Sequence, residues 1–585
     1  MKWLIPLALG CSTPQEPESS AVETRDSGTS AADVEGLPVL TVDFPERGAF
    51  EPAGSGAVRG RVDSGPATVE TLTVNGQSYD VEGTGHFEAQ AGWTPGIQIL
   101  STRVETDNGE RAVDGRAFHS GPVHAPGEWI PGAVRMEIDG EVLDDNDPDP
   151  DDIAGLLELA LEDRSLLDGF VGVPIDVGAA VFTPVSLSYG QAHIDVEPGD
   201  GFLDGVVSLD ALASDFDLAG VDWYSWLATS GSAWATSADI GIKMTVESES
   251  GRVRCEATEI DVVINGFGVA VDVVPDFLEG SISGLVEDYI VEAIEDVVNE
   301  EIVPSAEELL SGFAIGTTFD EANLEMEMRL AEVDVAQSGV RFEVDARVEA
   351  TNGLALPPNA GSLDTAGVPT PWPERKDQPF WAAIDDDLLN QLSFAFWHSG
   401  VTKDIEIDAV LLGAMTGGPL PPPLGPAETI TMTLNLPPVM TPTEQEEWAA
   451  QLAIGEWNIA FNRTDGEVLE FSVNARAHVQ ASVDGSGGIA VSVDSRPAQL
   501  EQAVGVLQAP EALDPGDLAA LIRLLIPPLL SNSASFAPDV PIPEIPLDEF
   551  MAVPATEGKK VRVSDPSVRL EENGWMLLQA GIEVY

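Results

Sequence analysis

The chain is poor in cysteine, in basic residues and in long apolar runs, and each shortage excludes something. Two cysteines in 585 residues, Cys11 and Cys255, rule out a disulfide framework, so the core must hold itself together. Lys and Arg number 27 against 100 Asp and Glu, a net charge of −73, and only six of the bases are lysines. A surface that acidic repels phosphate backbones and excludes nucleic acid as a partner. It also repels anionic membrane surfaces unless metal ions screen it, and it suits a salty medium in which self-repulsion is damped. No apolar run reaches the length of about 18 residues that a membrane-spanning helix needs. What is there is apolar content: 43% hydrophobic against 22% charged residues, enough for a sizeable core and too much for a disordered chain. The length predicts about three or four domains.

The N-terminus reads as an address. Met1-Lys2 is a minimal basic region, Trp3 to Leu9 is a short apolar run, and Gly10-Cys11 follows. Seven apolar residues serve as a secretory segment but cannot span a bilayer. The Cys directly after them resembles the lipobox of bacterial lipoproteins, with Gly10 at the cleavage position. Ala8 and Leu9 stand where that pattern has Leu and a small residue, and an ordinary leader is the alternative. The resemblance makes 1–11 a lipoprotein signal peptide with lipidated Cys11, and the protein exported and lipid-anchored at the bacterial outer membrane or cell surface. Residues 12–36 are Ser, Thr, Glu and Ala without period, a flexible tether.

Residues 37–122 alternate with period two. Leu40, Val42 and Phe44 share one strand face, and Asn75-Gly76 and Asn108-Gly109 are hairpin signals. Short strands and Gly turns predict an immunoglobulin-like β-sandwich of the kind that acts as a spacer or adhesion unit.

From about 125 onward long alternating runs dominate. Ile240, Ile242, Met244 and Val246 share one face, and beyond Glu249-Ser250-Gly251 the row continues at Val253, Cys255 and Ala257. This predicts a long hairpin with Cys255 in its core rather than reactive. Residues 277–302 carry Leu278, Ile282, Leu285, Val286, Tyr289, Ile290, Ile294 and Val297 on one stripe of a 3.6-residue period, with acids opposite. Val303-Pro304 is expected to end that run, and SAEELLSGF to add a last apolar turn. Strands return over 323–350, turned at Gln337-Ser338-Gly339. Residues 354–380 are Pro-rich and aperiodic, a boundary. After them come a mixed helix over 382–401, alternating strands, and a second apolar helix over 514–536 that carries Leu518, Leu521, Ile522 and Leu525 and is stopped by Pro. A closing hairpin turns at Asn573-Gly574. The two halves thus share one grammar, which predicts an internal structural duplication.

The stretches DYIVEAIEDVVNEEIVPSAEELLSGF, PPNAGSLDTAGVPTPWP, DDDLLNQLSFAFWHSGV and VSDPSVRLEENGWMLLQAGIEVY, in that order, resemble the tubular lipid-binding family of bactericidal/permeability-increasing protein, lipopolysaccharide-binding protein and cholesteryl ester transfer protein. The resemblance spans some 450 residues and rests on layout. It implies a mainly β fold with long amphipathic helices (α+β), in which two tandem, elongated, twisted β-barrels are each wrapped on a helix and follow the β-sandwich. It implies an N-terminal lipid-binding barrel at 123–353, a Pro-rich connector at 354–380 and a C-terminal barrel at 381–585. It also makes the helix stripes walls of acyl-chain pockets; filling of a packed core is the alternative. The family's N-terminal barrel usually carries a disulfide, and here Cys255 has no partner. Its endotoxin-binding members use a basic tip, which this chain lacks.

Reactive chemistry has little footing. The six histidines never pair as H-x-x-x-H, and no G-x-S-x-G elbow, P-loop or G-x-G-x-x-G precedes a helix. The expectation is no enzyme, no catalytic residues, no metal and no cofactor, with a hydrolase triad assembled in space as the alternative. In DDNDPDPDD (144–152), Asp145, Asp147 and Asp149 fit the first positions of a calcium loop, but Pro150 and Leu156 stand where Gly and Glu are needed. The other reading is a solvated loop whose Asp151 or Asp152 caps the next helix. Trp223, Tyr224 and Trp226, with Trp234, read either as a membrane-contacting tip or as a buried plug. The function that follows is an anchored protein that binds or shuttles hydrophobic molecules, acyl lipids above all. Its partners would be a lipid ligand and the membrane that holds its anchor. The alternative is a structural or adhesive surface lipoprotein with packed barrels.

Overall fold

The computed structural model describes residues 38–584 except 147–151, 162–170, 177–179, 222–227, 273–275, 315–318, 322, 366–377, 416–417, 426, 444–449, 484–487, 495, 497–499, 510–514, 537–539, 542–544, 547–559 and 571–574. Cys11, the tether and Trp223, Tyr224 and Trp226 lie outside these residues. The fold is mainly β. Among the described residues no helix is long and apolar enough to cross a membrane.

Residues 39–120 form two sheets that face one core. Strands Val39–Phe44, Gly54–Asp63 and His86–Trp93 make the first; Phe50–Glu51, Arg111–Ser120, Gly96–Thr106, Val69–Val74 and Gln77–Tyr79 make the second, in that order. Alternate residues of both meet between them: Val58, Phe87 and Trp93 from one, Leu72, Val104 and Phe118 from the other. Asn75 and Gly76 both adopt positive φ, +49° and +78°, between paired Val74 and Gln77. That is the turn whose twist suits a two-residue hairpin.

The body is built around one eight-stranded sheet shared by both halves. Its order is Phe319–Glu321, Leu324–Ala336, Gly339–Ala350, Ile130–Asp139, Phe380–Ile384, Met576–Val584, Lys560–Leu570, Ile545–Pro546. The first four strands belong to one half of the chain and the last four to the other. Read from either end the roles repeat: the strand that opens each half lies at the centre, and the closing strands lie outside it. The two opening strands pair antiparallel, Val134 with Ile384, Met136 with Ala382 and Ile138 with Phe380, as a two-fold axis through the pair would leave them. Each opening strand leads through helices to a sheet of its own, then to a long helix, then back to the central sheet, in the second half by way of Val540–Pro541, which pairs with Gly488–Val493 of that half's own sheet. This is the repeated grammar of the sequence in three dimensions.

In the first half the sheet runs Ile175–Asp176, Ala180–Ser188, Leu203–Gly220, Ala228–Glu249, Arg252–Asn265; in the second it runs Ile405–Asp408, Ala427–Leu434, Ala450–Arg463, Val468–Val483, Gly488–Val493, Val540–Pro541. Ala192–Pro198 and Gly268–Val271 pair off this path in the first sheet, and Val439–Pro442 and Glu501–Gln508 in the second; among the described residues neither order closes on itself. The hairpin at Ser250-Gly251 forms, with Glu249 opposite Arg252. Cys255 is buried in the apolar row. The two longest strands of the first half switch their buried faces at one level, from Leu209 to Leu212 on one and from Ala235 to Ala238 on the other. Ala211, at φ +51°, marks the bend.

Neither long helix stops at its proline. The helix Asp276–Val297 passes through a π turn, Val298–Ile302, into a further helix, Val303–Ala314. Val303 donates its N–H to the carbonyl of Val298, five residues back. The wider turn makes room for Pro304, whose missing N–H and bulky ring would otherwise break an i→i−4 ladder. Pro527 and Pro528 likewise lie inside the helix Pro515–Phe536. The expected mixed helix over 382–401 divides into a strand, Phe380–Ile384, and the helix Asp386–His398.

Candidate functional site

Two places concentrate function-bearing groups: an apolar cavity under the long helix of the first half, and an acidic cluster at the joint between the halves.

The first is built by the stripe of the helix Asp276–Val297. Val286, Ile290 and Ile294 are buried, and Tyr289 and Val297 are half-buried. The Tyr289 ring lies 5.0 Å from Phe182, which lies 4.7 Å from Phe216 on the sheet. One turn further on, Ile294, Val297, Val298 and Ile302 face Val207, Leu209 and Ile240 across a cavity of about 30 Å³. Leu161 and Tyr189 close its end, and the Tyr189 hydroxyl is turned away to donate to the Leu161 carbonyl. The lining is therefore apolar and has no group to hold water, but the volume is room for only one or two water-sized spheres. Three of its residues, Val297, Val298 and Ile302, stand at the π turn. Ile260, Val262, Ile264, Val269 and Val271 are half-buried against the same core. The side chains of Leu278, Ile282 and Leu285 lie outside the described residues.

In the second half Leu518 and Ile522 are buried and Leu521 and Leu525 half-buried, packed with Phe461, Phe471 and Val504. Trp234 is 47% exposed on its strand, which does not fit a buried plug at that position.

Asp152 does what a cap should. Its Oδ1 accepts the N–H of Gly155 at 2.5 Å and its Oδ2 that of Asp145 at 2.9 Å, at the start of the helix Ile153–Leu161. Burial pushes its carboxyl up to about 6.

The acidic cluster went unread in the sequence. Asp385 caps the helix Asp386–His398, its Oδ1 accepting the Asp387 N–H at 3.1 Å. Asp387 accepts from the backbone N–H and the hydroxyl of Thr365, both at 2.8 Å, and from His124 Nε2 at 3.2 Å. His124 lies on a two-residue strand, Val123–His124, paired with Ser362–Leu363. The hydrogen bond to Asp387 raises the His124 pKa, and despite burial the histidine and Thr365 hold Asp387 below the usual carboxylate range. Asp386 is 2% exposed. Burial and its two neighbouring carboxyls push it up to about 9. Two ligand sets have their donor atoms within 4.8 Å of one another: Asp385, Asp386 and Asp387, and His124, Asp364 and Asp387. The triple Asp was the available signal, but capping explains acids at a helix start, and His124 and Thr365 come from distant segments.

No family model and no curated protein matches the chain. Among solved structures it is similar to the crystal structure of lipopolysaccharide binding protein, at 13% identity and a TM-score of 0.37, over 77% of this chain and 99% of that one. It is similar to P47 of Clostridium botulinum E1 at 8% identity and a TM-score of 0.25, over 78% and 100%. Fibronectin(III)-like modules of CbhA from Clostridium thermocellum align at 8% identity and a TM-score of 0.13, over 39% and 92%. Likenesses at these TM-scores carry no argument about function.

Proposed function

We propose that the protein is an exported, lipid-anchored binder of hydrophobic molecules, acyl lipids above all, which it holds or passes on without covalent chemistry. The observation that carries this reading is the apolar cavity between the long helix of the first half and its sheet, in a core that also holds half-buried apolar residues of that sheet. In this reading each half is a barrel-like wrap on its helix, the sandwich is immunoglobulin-like, and Cys11 carries the anchor. An acyl chain enters only if the helix moves outward. The π turn supports that step, because such turns interrupt the regular ladder and mark functional places in helices. Each CH₂ buried is worth about 0.8 kcal/mol, so ten amount to roughly 8 kcal/mol before ordering costs.

The small cavity favours a second reading, a structural or adhesive surface lipoprotein whose halves are packed solid. One experiment separates the two. Native mass spectrometry with solvent extraction should find lipid on the purified protein, and Ile290→Asp or Ile294→Asp should release it while circular dichroism shows the fold kept. Folded wild-type protein that is lipid-free, and that takes up no labelled fatty acid or phospholipid from liposomes, leaves the packed reading in place. The anchor is tested separately: Cys11→Ala should move the protein from the membrane pellet to the soluble fraction.

A further inference from the structure

We propose that Arg103 and Arg523 together bind a phosphate-sized oxyanion at the seam between the sandwich and the long helix of the second half. The proposal is independent of the lipid reading.

Strand alternation places Arg103 at the seam. In the strand Gly96–Thr106, Leu100 and Val104 turn into the sandwich core. Ile97 and Ile99, on the opposite face, share a core with Leu436, Val439 and Ala453 of the second half. Arg103 falls on that same opposite face, since strand side chains alternate and the register runs unbroken from Gly96 to Glu105. One pair before it, Ser101 lies opposite Gly115, where an added Cβ would come 2.5 Å from the Val504 carbonyl carbon. Val504 shares its core with Leu518 and Ile522 of the helix Pro515–Phe536, and Arg523 follows Ile522. Burial first, and then the nearby charge of Arg103, lower the Arg523 pKa.

The chain has 100 acids for 27 bases, yet none of them answers this pair. The other arginine of the seam, Arg47, is met by Asp114 at 2.9 Å and Glu456 at 3.3 Å. Arg523 is half-buried, its Nε is withdrawn from water without a hydrogen-bond partner, and among the described residues no carboxylate pairs with it. Arg103 has only Glu105, at 3.8 Å, and Glu105 is engaged more closely by Arg111, at 3.0 Å. A buried carboxyl or imidazole can neutralise itself by taking up or losing a proton; a guanidinium cannot. Two like charges brought together with water partly excluded are therefore left to an anion from outside the chain.

The donors select its class. Two planar guanidiniums offer forked N–H groups and no acceptor, which suits a doubly charged anion with several oxygens, phosphate or sulfate above chloride. The phosphate could be free or carried on a lipid head group. Because Arg103 belongs to the sandwich and Arg523 to the second half, a bound oxyanion would tie one to the other.

The test uses the full chain at about pH 8, where phosphate is doubly charged, with sodium chloride holding the ionic strength constant. Sodium phosphate and sodium sulfate should each bind saturably by calorimetry, raise the melting temperature and slow hydrogen exchange at Ile97 and Ile99. Arg523→Gln should abolish the saturable phase. Should that variant not fold, Arg103→Gln, at an exposed position, is expected to weaken binding at least about tenfold. Dihexanoyl phosphatidic acid below its micelle concentration reads the source. Binding tighter than that of inorganic phosphate, and lost in Arg523→Gln, assigns the phosphate to a lipid head group; equal or weaker binding assigns it to the free ion. Three results overturn the proposal: no saturable response to either oxyanion; a response that chloride reproduces at equal ionic strength, which is screening alone; or an equal response in the wild type and both variants, which assigns it to other bases.

Discussion

The two halves of the body follow one plan but differ in what covers them. The sheet of the second half is engaged from outside by the sandwich. A bulge at Gly455-Glu456 breaks the register between Ile454 and Trp457, and Glu456 at φ +48° is aimed out of the strand. There it accepts the N–H of Ala117 at 2.6 Å, the hydroxyl of Ser472 at 2.8 Å and the guanidinium of Arg47 at 3.3 Å. Arg47 in turn pairs with Asp114 at 2.9 Å. A side chain at Gly455 would meet Ala117, Leu436 and Ile97 at 3.0 Å or less. Phe50, Ile97 and Ala117 of the sandwich share a core with Leu436, Val439 and Ala453. The sheet of the first half has no such cover among the described residues, and Val185, Val206, Trp234 and Val263 are exposed on it. The same architecture therefore serves as a docking platform on one side and stays open on the other. The sandwich is part of the second half's surface rather than a free spacer.

The largest expected effect comes from cutting that contact. Arg47→Ala leaves Glu456 buried beside the sandwich without its cation. Breaking one partner of a buried pair costs about 3–5 kcal/mol, here expressed as loss of docking. Hydrogen exchange should rise at Phe50, Ala117 and the 450–463 strand and stay unchanged in the first half. Exchange that rises evenly through both halves would show the contrast between them to be wrong.

A somewhat smaller effect should follow acidification. His119 lies at the same contact, stacked on Phe50 at 5.0 Å, with neither ring nitrogen hydrogen-bonded. Burial lowers its pKa to about 4. Its neutral form therefore stabilises the fold fully above about pH 6.5, and that contribution drains away as the pH falls toward 4, about 3 kcal/mol in all. Denaturant melts of His119→Phe against the wild type at pH 7 and pH 4.5 should show the wild type losing more. Parallel losses would place the acid sensitivity elsewhere.

The smallest effect is a null one that sharpens the comparison. Cys255 lies between its strand and the helix Val303–Ala314, its backbone N–H donating to Glu307 at 3.0 Å. Burial, with Glu307 adding, pushes the thiol up to about 12. A disulfide reagent at pH 8 should label it only through opening of the first half, and Arg47→Ala should change that rate less than about twofold.

Much of this was legible locally. Asn75-Gly76 and Ser250-Gly251 announce their turns because turn chemistry is carried by the two residues that make it. The helical stripes are legible because the period of a helix is set within a few turns. Helix ends were misread at Pro304 and at Pro527-Pro528; at Pro304 a π turn absorbs what an isolated helix would not. The pairing of Ile130–Asp139 with Phe380–Ile384 has no local mark: any alternating strand fits any other of matching faces. The same holds for the acidic cluster, where Asp385–Asp387 are visible but His124 and Thr365 are supplied by topology.

The palindromic order of the central sheet has a consequence for how this molecule can change. In a symmetric pair of separate chains each substitution is made twice, once on either side of the axis, so an advantage at one face is tied to whatever it does at its copy. Within a single chain that tie is cut. A bulge such as Gly455-Glu456 can arise on one side to seat a neighbour without being copied on the other, and the seam of paired backbone between the halves is indifferent to it.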